Sequence, residues 1–408
     1  MWIIIRLLLG IAILVLVEFY FINRLNYAAK NFFLNFYGKK FSLVKKVFLV
    51  WVNLVPLALI FIYTYFAVTG SYLTEPESWI IDYLLIYPFW ISFILMIQCS
   101  LFFIPLDLIK LFSLRFLKKF KSGPVRIHST MIFIITIFFI FYIPGRIVYD
   151  YNTVLVREIK YEKKQLADSL KNLRIAFISD IQADRYTDEK RLDKFISIVN
   201  NLKPDLILIA GDLITTGPDY IELSGREVGK LKAKYGVYSC VGDHDNWAYR
   251  NDYAKSRADV EASLEANNVD MVDNGMRKIN FNGTEIEITF ITNTYVQTVP
   301  ENVLDSLSSI DGSDLKIFLV HQPQPRLIEA ARKNNYDLYL AGHTHGGQIT
   351  FVFPFIYLTP TMFETKYTRG DFWFGSMLMV VTKGLGMSLA PVRYNSTPEV
   401  TLINLENK

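Results

Sequence analysis

Hydrophobic and polar positions divide this chain into two stretches of different rhythm. Up to about residue 150 the apolar residues come in long runs. Four of them cover about Ile3 to Ile22, Val47 to Val68, Ile81 to Ile104 and Met131 to Val148. Each is long and apolar enough to cross a bilayer as a helix. Pro56, Pro88 and Pro105 fall in or beside these runs, where membrane helices tolerate a kink. The first run has no small-residue cleavage site, so it reads as a span and not as a removable signal. From Leu173 onward the apolar runs shorten and alternate with amphipathic stretches, the rhythm of an α/β domain. Strands are expected at Arg174–Ser179, Leu206–Ala210, Gly236–Val241, Lys316–Val320, Tyr336–Ala341, Met377–Thr382 and Glu399–Asn404. Helices are expected at Glu189–Leu202, Arg226–Lys234, Ala258–Asn267 and Arg326–Asn334. Asn282-Gly283 predicts a hairpin turn within Ile279–Thr292.

Charge orients the apolar half. The loop between the first two runs carries Arg24, Lys30, Lys39, Lys40, Lys45 and Lys46. The loop between the third and fourth carries Lys110, Arg115, Lys118, Lys119, Lys121 and Arg126. Between the second and third there are only acids, Glu75, Glu77 and the nearby Asp82. By the positive-inside rule the basic loops lie in the cytoplasm, and everything after the fourth run is expected outside it. Glu18 sits within a span, where an ionisable group is either functional or paired with a neighbouring helix. His128 is read as a headgroup-level residue without a role.

Composition agrees with two solvents for one chain. Of 408 residues, 51% are hydrophobic, yet 20% are charged, too many for a protein lying wholly in the membrane. The net charge of +4 follows from the membrane-flanking loops and is no nucleic-acid signal. Two cysteines, Cys99 and Cys240, make neither a disulfide framework nor a zinc-finger spacing. The expected organisation is a membrane domain over residues 1–150 with about four helices, a charged connector over 151–172, and a catalytic domain over 173–408. Within the connector, Val154–Tyr161 reads as an entry strand.

The candidate chemistry lies at the ends of the predicted strands, where α/β proteins build their sites. The first strand runs into Asp180 and Gln182, the second into Gly211-Asp212, the third into Gly242-Asp243-His244-Asp245. The fourth runs into His321-Gln322-Pro323, and the fifth into Gly342-His343-Thr344-His345-Gly346-Gly347-Gln348. A single acid at a strand end is as often a helix cap as a ligand. Five such strands ending in Asp or His, gathered at one sheet edge, would furnish a mixed carboxylate and imidazole site. Such a site suits two divalent cations and hydrolysis.

This ordered series resembles the calcineurin-like metallophosphoesterases, and most of all their bacterial membrane-bound branch with the extended G-H-T-H-G-G-Q motif. The tail adds to the likeness through Lys383-Gly384-Leu385-Gly386 and Pro391-Val392-Arg393. The resemblance covers about Leu173 to Leu405. It implies a two-sheet α/β/β/α sandwich behind the membrane part and hydrolysis of a phosphate ester by water activated between two metals. It also implies roles. Asp212 would bridge the metals, Asp180 and His345 would bind the first, and Asp243, His321 and His343 the second. His244 would protonate the leaving oxygen or steady the transition state, and Asp245 would orient that loop.

Two positions depart from the family pattern. Gln182 stands where the family has His, and Asp243 where it has Asn. Gln182 is then a weak oxygen ligand of the first metal, and the site shifts towards oxygen donors. That favours manganese, with zinc, iron or magnesium as other occupants. Asp184 offers a substitute carboxylate, and Arg185 a phosphate contact against the plainer reading of a solvated loop. No long insertion caps the site, so a bulky substrate would fit. The aromatic segment Phe351–Phe374 reads either as packing or as a surface leaning on the bilayer.

The expected function is that of a multi-pass protein of the bacterial cell membrane. It would hydrolyse a phosphorylated small molecule or lipid, such as a phospholipid or envelope precursor, outside the cytoplasm. Its other expected partner is membrane lipid, and no nucleic acid is expected. Two alternatives stand beside this. One is a hydrolase splitting the pyrophosphate of a UDP-linked diacylated sugar in the lipid A pathway, which needs a cytoplasmic site. The other is a metal-binding membrane module weakened in catalysis.

Overall fold

The structure is a computed structural model that describes residues 2–32, 39–69, 78–116, 122–163, 166–249, 252–309 and 312–407. Glu75, Glu77, Lys118, Lys119 and Lys121, which carry part of the charge argument, lie outside these. The chain forms two compact units, Met1–Val148 with Phe351–Leu358, and Tyr149–Thr350 with Thr359–Lys408.

The first unit is helical. It contains α1 (Trp2–Phe32), α2 (Lys39–Thr69), α3 (Trp79–Ile81) leading through a π-turn at Asp82–Ile86 into α4 (Tyr87–Phe116), and α5 (Ser122–Asn152). Four stretches are long and apolar enough to cross a membrane: Gly10–Asn31, Ser42–Phe66, Trp79–Ser113 and Gly123–Asn152. Leu14, Phe21, Val52, Ile94, Phe103 and Ile132 are buried between the helices. Phe19, Phe61, Phe112 and Phe141 point outward and are exposed. A bundle as apolar outside as inside is made for lipid. Glu18 is buried and paired, since its two oxygens accept from Asn53 Nδ2 at 3.0 and 3.1 Å. His128 is not a surface residue. It is buried, with Nε2 2.8 Å from Asp107 Oδ1, and Arg24 and Tyr20 meet the other oxygen of that carboxylate.

The second unit is the sandwich. In chain order it holds β1 (Leu155–Lys163), β2 (Arg174–Ile178), α6 (Glu189–Asn201), β3 (Leu206–Ile209), α7 (Ile221–Val228), β4 (Val237–Cys240), α8 (Tyr253–Glu265) and β5 (Asp270–Val272). Then come β6 (Gly275–Phe281), β7 (Thr284–Ile291), α9 (Glu301–Ser308), β8 (Leu315–Val320), α10 (Pro325–Lys333) and β9 (Leu338–Ala341). A hairpin of β10 (Phe351–Phe353) and β11 (Ile356–Leu358) belongs to the helical unit. β12 (Gly370–Phe374), β13 (Met377–Val381) and β14 (Glu399–Asn407) close the chain. One six-stranded sheet has the order β1-β14-β2-β3-β4-β5, the other β12-β13-β9-β8-β7-β6. The connector is thus part of a sheet, because β1 pairs in parallel with β14 from Leu155↔Glu399 onward.

Alternation along the strands makes the layers. Ile175, Phe177, Leu206 and Leu208 face Ile288, Phe290, Ile317 and Leu340 of the other sheet in one buried cluster. Ala176, Ile178, Ile207 and Ile209 face outward under the helix residues Leu192, Phe195, Val228 and Leu264. On the far side, Phe318, Tyr339 and Met379 pack under Leu327 and Ala331 of α10. Both faces of each central strand are covered, which is why those strands read as continuous apolar runs. The helix expected over Arg226–Lys234 lies earlier, at Ile221–Val228. Gly229 follows it where the chain passes close to the residues after α8, since a Cβ there would stand 2.6 Å from Asn267 Cβ.

Candidate metal centre

β2, β3, β4, β8 and β9 all end at one edge of the sandwich, and the chain turns sharply after each. Asp180, Gln182, Asp212, His343 and His345 all have positive φ, between 50° and 71°. Side-chain-bearing residues avoid this region, and a cluster of them marks a site that other contacts over-determine. The contacts are plain here. Asp180 N donates to Gly211 O at 3.0 Å, Gln182 N to Asp212 O at 2.9 Å, and Gly342 N to His321 O at 3.0 Å. The turns touch so closely that a Cβ on Gly342 would lie 1.7 Å from Ser179 Oγ.

The edge brings seven sequence-predicted side chains together, though not on equal terms. The donor atoms of Asp243, His321 and His343 lie within 4.8 Å of one another, as do those of Asp180, Asp212 and His321. His321 Nδ1 is bound by the Ala210 carbonyl at 2.7 Å, so its Nε2 faces Asp212 Oδ2 at 3.3 Å and Asp243 Oδ2 at 3.2 Å. His343 Nδ1 stands 2.8 Å from Asp243 Oδ2 and 3.3 Å from His321 Nε2. Gln182 is fully buried and donates from Nε2 to Asp212 Oδ2 at 2.8 Å, while its Oε1 has no partner. An orphaned buried carbonyl beside three buried carboxylates and two inward imidazole nitrogens fits a divalent cation.

His345 differs from its neighbour. It is buried with Nε2 3.4 Å from Asp180 Oδ1, but the Arg393 guanidinium stands 3.3 Å from its Nδ1. A guanidinium only donates, so the lone pair of neutral His345 faces Arg393 and the proton faces Asp180. Burial, with Arg393 adding to it, holds His345 well below its ordinary pKa.

His244 is half-buried beside the cluster. Its backbone N donates to Asp212 Oδ1 at 2.8 Å, and its Nδ1 meets the Thr215 carbonyl at 2.6 Å. Nε2 is left facing Ser388 Oγ at 3.1 Å. Asp245 is fully buried and accepts three backbone N–H groups, from Asp212 at 3.0 Å, Leu213 at 2.8 Å and Gly242 at 2.7 Å. It clamps two of the site loops to each other. Burial and the nearby Asp212 push it up to about 6. Asp184 is not in the cluster. Its carboxylate closes its own turn on the N–H groups of Tyr186 and Thr187, both at 2.7 Å. Arg185 stacks on Tyr186, 4.4 Å from the ring centre.

Several partners escaped the sequence. Gln322 Nε2 donates to both Asp243 oxygens at 2.9 and 2.8 Å, and Tyr295 N to Oδ1 at 2.6 Å. These donors satisfy a carboxylate where the family pattern has an amide. Glu364 Oε1 lies 2.9 Å from His343 Nε2 and accepts from Tyr295 Oη at 2.6 Å. Gln348, the last residue of the G-H-T-H-G-G-Q motif, donates to the carbonyls of Ser388, Ala390 and Val392 and so holds the loop that carries Ser388. Gln322 and Arg393 sit inside quoted motifs and were findable there. Tyr295 and Glu364 lie in loops without a local signal.

Residues 173–347 match the calcineurin-like phosphoesterase family. An uncharacterized metallophosphoesterase of Bacillus subtilis is 30% identical over 240 residues, 57% of this chain and 79% of that protein. The chain therefore belongs to the calcineurin-like phosphoesterase family, as a metal-dependent phosphoric ester hydrolase with a membrane part. A transmembrane protein with metallophosphoesterase domain of Danio rerio is 26% identical over 62% of this chain and 57% of its own length. The phosphodiesterase YaeI of Escherichia coli is 24% identical over 60% of this chain and 87% of its own.

Two outcomes follow from the imidazoles. Glu364 turns the His343 proton outward and leaves Nδ1 for a ligand, so Glu364→Gln is expected to weaken metal binding about 10- to 100-fold in equilibrium dialysis. Unchanged affinity would show that Glu364 does not set the tautomer. Burial lowers the His343 pKa, but its hydrogen bonds with Asp243 and Glu364 outweigh that and bring it to about 9. Without metal His343 therefore holds a proton at pH 7, and a cation must displace it. Affinity should rise with pH up to about 9, and calorimetry in buffers of different ionisation enthalpy should record proton release at pH 7.

Proposed function

We propose that this chain is a membrane-anchored phosphoesterase that hydrolyses a phosphate ester of a phospholipid or envelope precursor on the extracytoplasmic side of a bacterial membrane. The observation that carries the reading is the placing of a half-buried imidazole, His244, beside a buried carboxylate and imidazole cluster whose ligand groups do not include it. Asp180, Gln182, Asp212 and His345 would hold one divalent metal, and Asp212, Asp243, His321 and His343 the other. Oxygen outnumbers nitrogen among these donors, so manganese is the proposed occupant. When bound, the pair would lower the pKa of a water and clamp phosphoryl oxygens for in-line attack.

The rest falls to the protein. Asp212 is fixed from two sides, by Gln182 and by the His244 amide, and its loop hangs from Asp245. The Thr215 carbonyl fixes His244 with its Nδ1 proton inward, so Nε2 can take a proton and pass it to a leaving oxygen. Ser388 donates to that Nε2 and holds its direction.

A lipid substrate is favoured by the membrane part and by the aromatic chain that follows the G-H-T-H-G-G-Q motif. The weakened-module reading has its own observation, the Arg393 guanidinium at His345 Nδ1. The lipid A pathway reading has none beyond the membrane part.

Two experiments decide among these. With added manganese, His244→Ala should slow hydrolysis of an alkyl phosphodiester about 10²- to 10⁴-fold and an ester with an acidic phenol leaving group far less. Equal effects on both would remove His244 from the acid's place, and no turnover by the unaltered chain would favour the weakened module. A reporter enzyme fused after Lys408 should be active outside the cytoplasm, and activity only within it would favour the lipid A reading.

A further inference from the structure

Phe351–Leu358 reads Phe-Val-Phe-Pro-Phe-Ile-Tyr-Leu, eight residues without a charge. They form a tight antiparallel hairpin, with Phe351↔Leu358 and Phe353↔Ile356 in register and Phe355 at the turn with a φ of 68°. In sequence the hairpin interrupts the catalytic domain. In packing it belongs to the membrane-spanning unit. Phe353 packs against Phe102 of α4 with tilted rings, centres 5.5 Å apart, and Phe102 against Phe139 of α5 at 5.4 Å.

One polar contact ties the hairpin to a spanning helix. Gln98 of α4 is fully buried and lies within the span Trp79–Ser113, fifteen residues from its nearer end. At helical rise that is about 22 Å along the axis. A buried amide at such a position is costly unless bonded. Gln98 spends both of its groups on one residue of the hairpin. Its Nε2 donates to Val352 O at 2.6 Å, and its Oε1 accepts from Val352 N at 3.0 Å. Val352 stands opposite Tyr357, and because both of its backbone groups meet Gln98 they face outward from the two-stranded ladder. Non-helical backbone survives at membrane depth only where protein satisfies it, and here a side-chain amide completes the ladder as a strand would. Phe355 is fully exposed, and Ile356 and Tyr357 are 49% and 61% exposed, in the same unit as the outward Phe138 and Phe141 of α5.

We propose that Phe351–Leu358 is a re-entrant hairpin embedded among the acyl chains of the bilayer. In sequence the hairpin lies between two residues of the site. His345 lies six residues before Phe351, and Glu364 six residues after Leu358. In a consequence that rests on the hydrolase reading above, the site is supplied with its ester from lipid in the same bilayer.

The test uses the full chain in phosphatidylcholine vesicles. Phe355→Cys is labelled with an environment-sensitive nitrobenzoxadiazole dye; Cys99 and Cys240 are buried and stay unlabelled. Blue-shifted emission, quenched by mid-chain doxyl lipid and protected from aqueous iodide, is expected. Lys255→Cys, exposed on α8, should give the reverse. A Phe355 label that behaves as the Lys255 label does would overturn the proposal. Tyr357→Cys repeats the reading if the first variant folds poorly. Gln98→Leu should speed hydrogen exchange at the Val352 amide, and unchanged exchange would remove Gln98 as its partner. Phe355→Asp should lose activity on a vesicle-borne lipid phosphoester and keep it on a soluble diester. Loss on both would overturn the lipid supply alone, and the fluorescence result does not depend on any turnover.

Discussion

Three carboxylates, Asp180, Asp212 and Asp243, are buried at one edge of the sandwich with almost no access to water. Buried negative charge is tolerable only when hydrogen-bonded and balanced, and the architecture of the site answers that constraint. Asp212 takes the His244 amide and the Gln182 side chain, Asp243 takes Gln322 and Tyr295, and Asp180 takes the His343 amide. Supplying these donors requires five strand ends to turn at once, in backbone regions that most residues avoid. The apolar layers between the sheets hold those turns together.

The two histidines of the G-H-T-H stretch show how neighbours two residues apart acquire different chemistry. Both backbones are left-handed and both rings are largely buried. His343 has a carboxylate, Glu364, behind it, which raises its basicity, and its Nδ1 faces Asp243 with a proton that an arriving cation displaces. His345 has a guanidinium, Arg393, in the corresponding place, which takes its lone pair away from the cluster. The weaker nitrogen thus coincides with Gln182, the position where the family has a histidine. Charge behind the ring separates the two halves of the site more than the ligand list does.

Much of the site was legible because each strand's apolar run stops where its functional residue begins. Ile178, Ala210, Val241, Val320 and Ala341 are buried, and the next one or two residues turn into the site. That boundary is local, so the sequence exposes it. Tyr295 and Glu364 are not marked in this way. They reach His343 from loops 48 and 21 residues away in sequence, and no periodicity connects them. The α6 and α10 positions were legible to within a residue, α7 and α8 begin before their expected starts at Arg226 and Ala258, and α9 was not expected at all. Loops and tertiary approach decide what local pattern cannot.

The hairpin Phe351–Leu358 sharpens the same distinction. Its apolar composition left packing and membrane contact open, and contacts made in space, with Gln98 and Phe102, join it to the spanning helices. By itself the sequence determined that this chain has a membrane part, an α/β domain and a set of metal-competent side chains, because periodicity and composition are properties of neighbours along the chain. Which nitrogen of each histidine faces the carboxylates, and which unit claims the hairpin, depended on partners far away in sequence. Hydrogen bonds and burial are made in space, and only the tertiary structure fixes them.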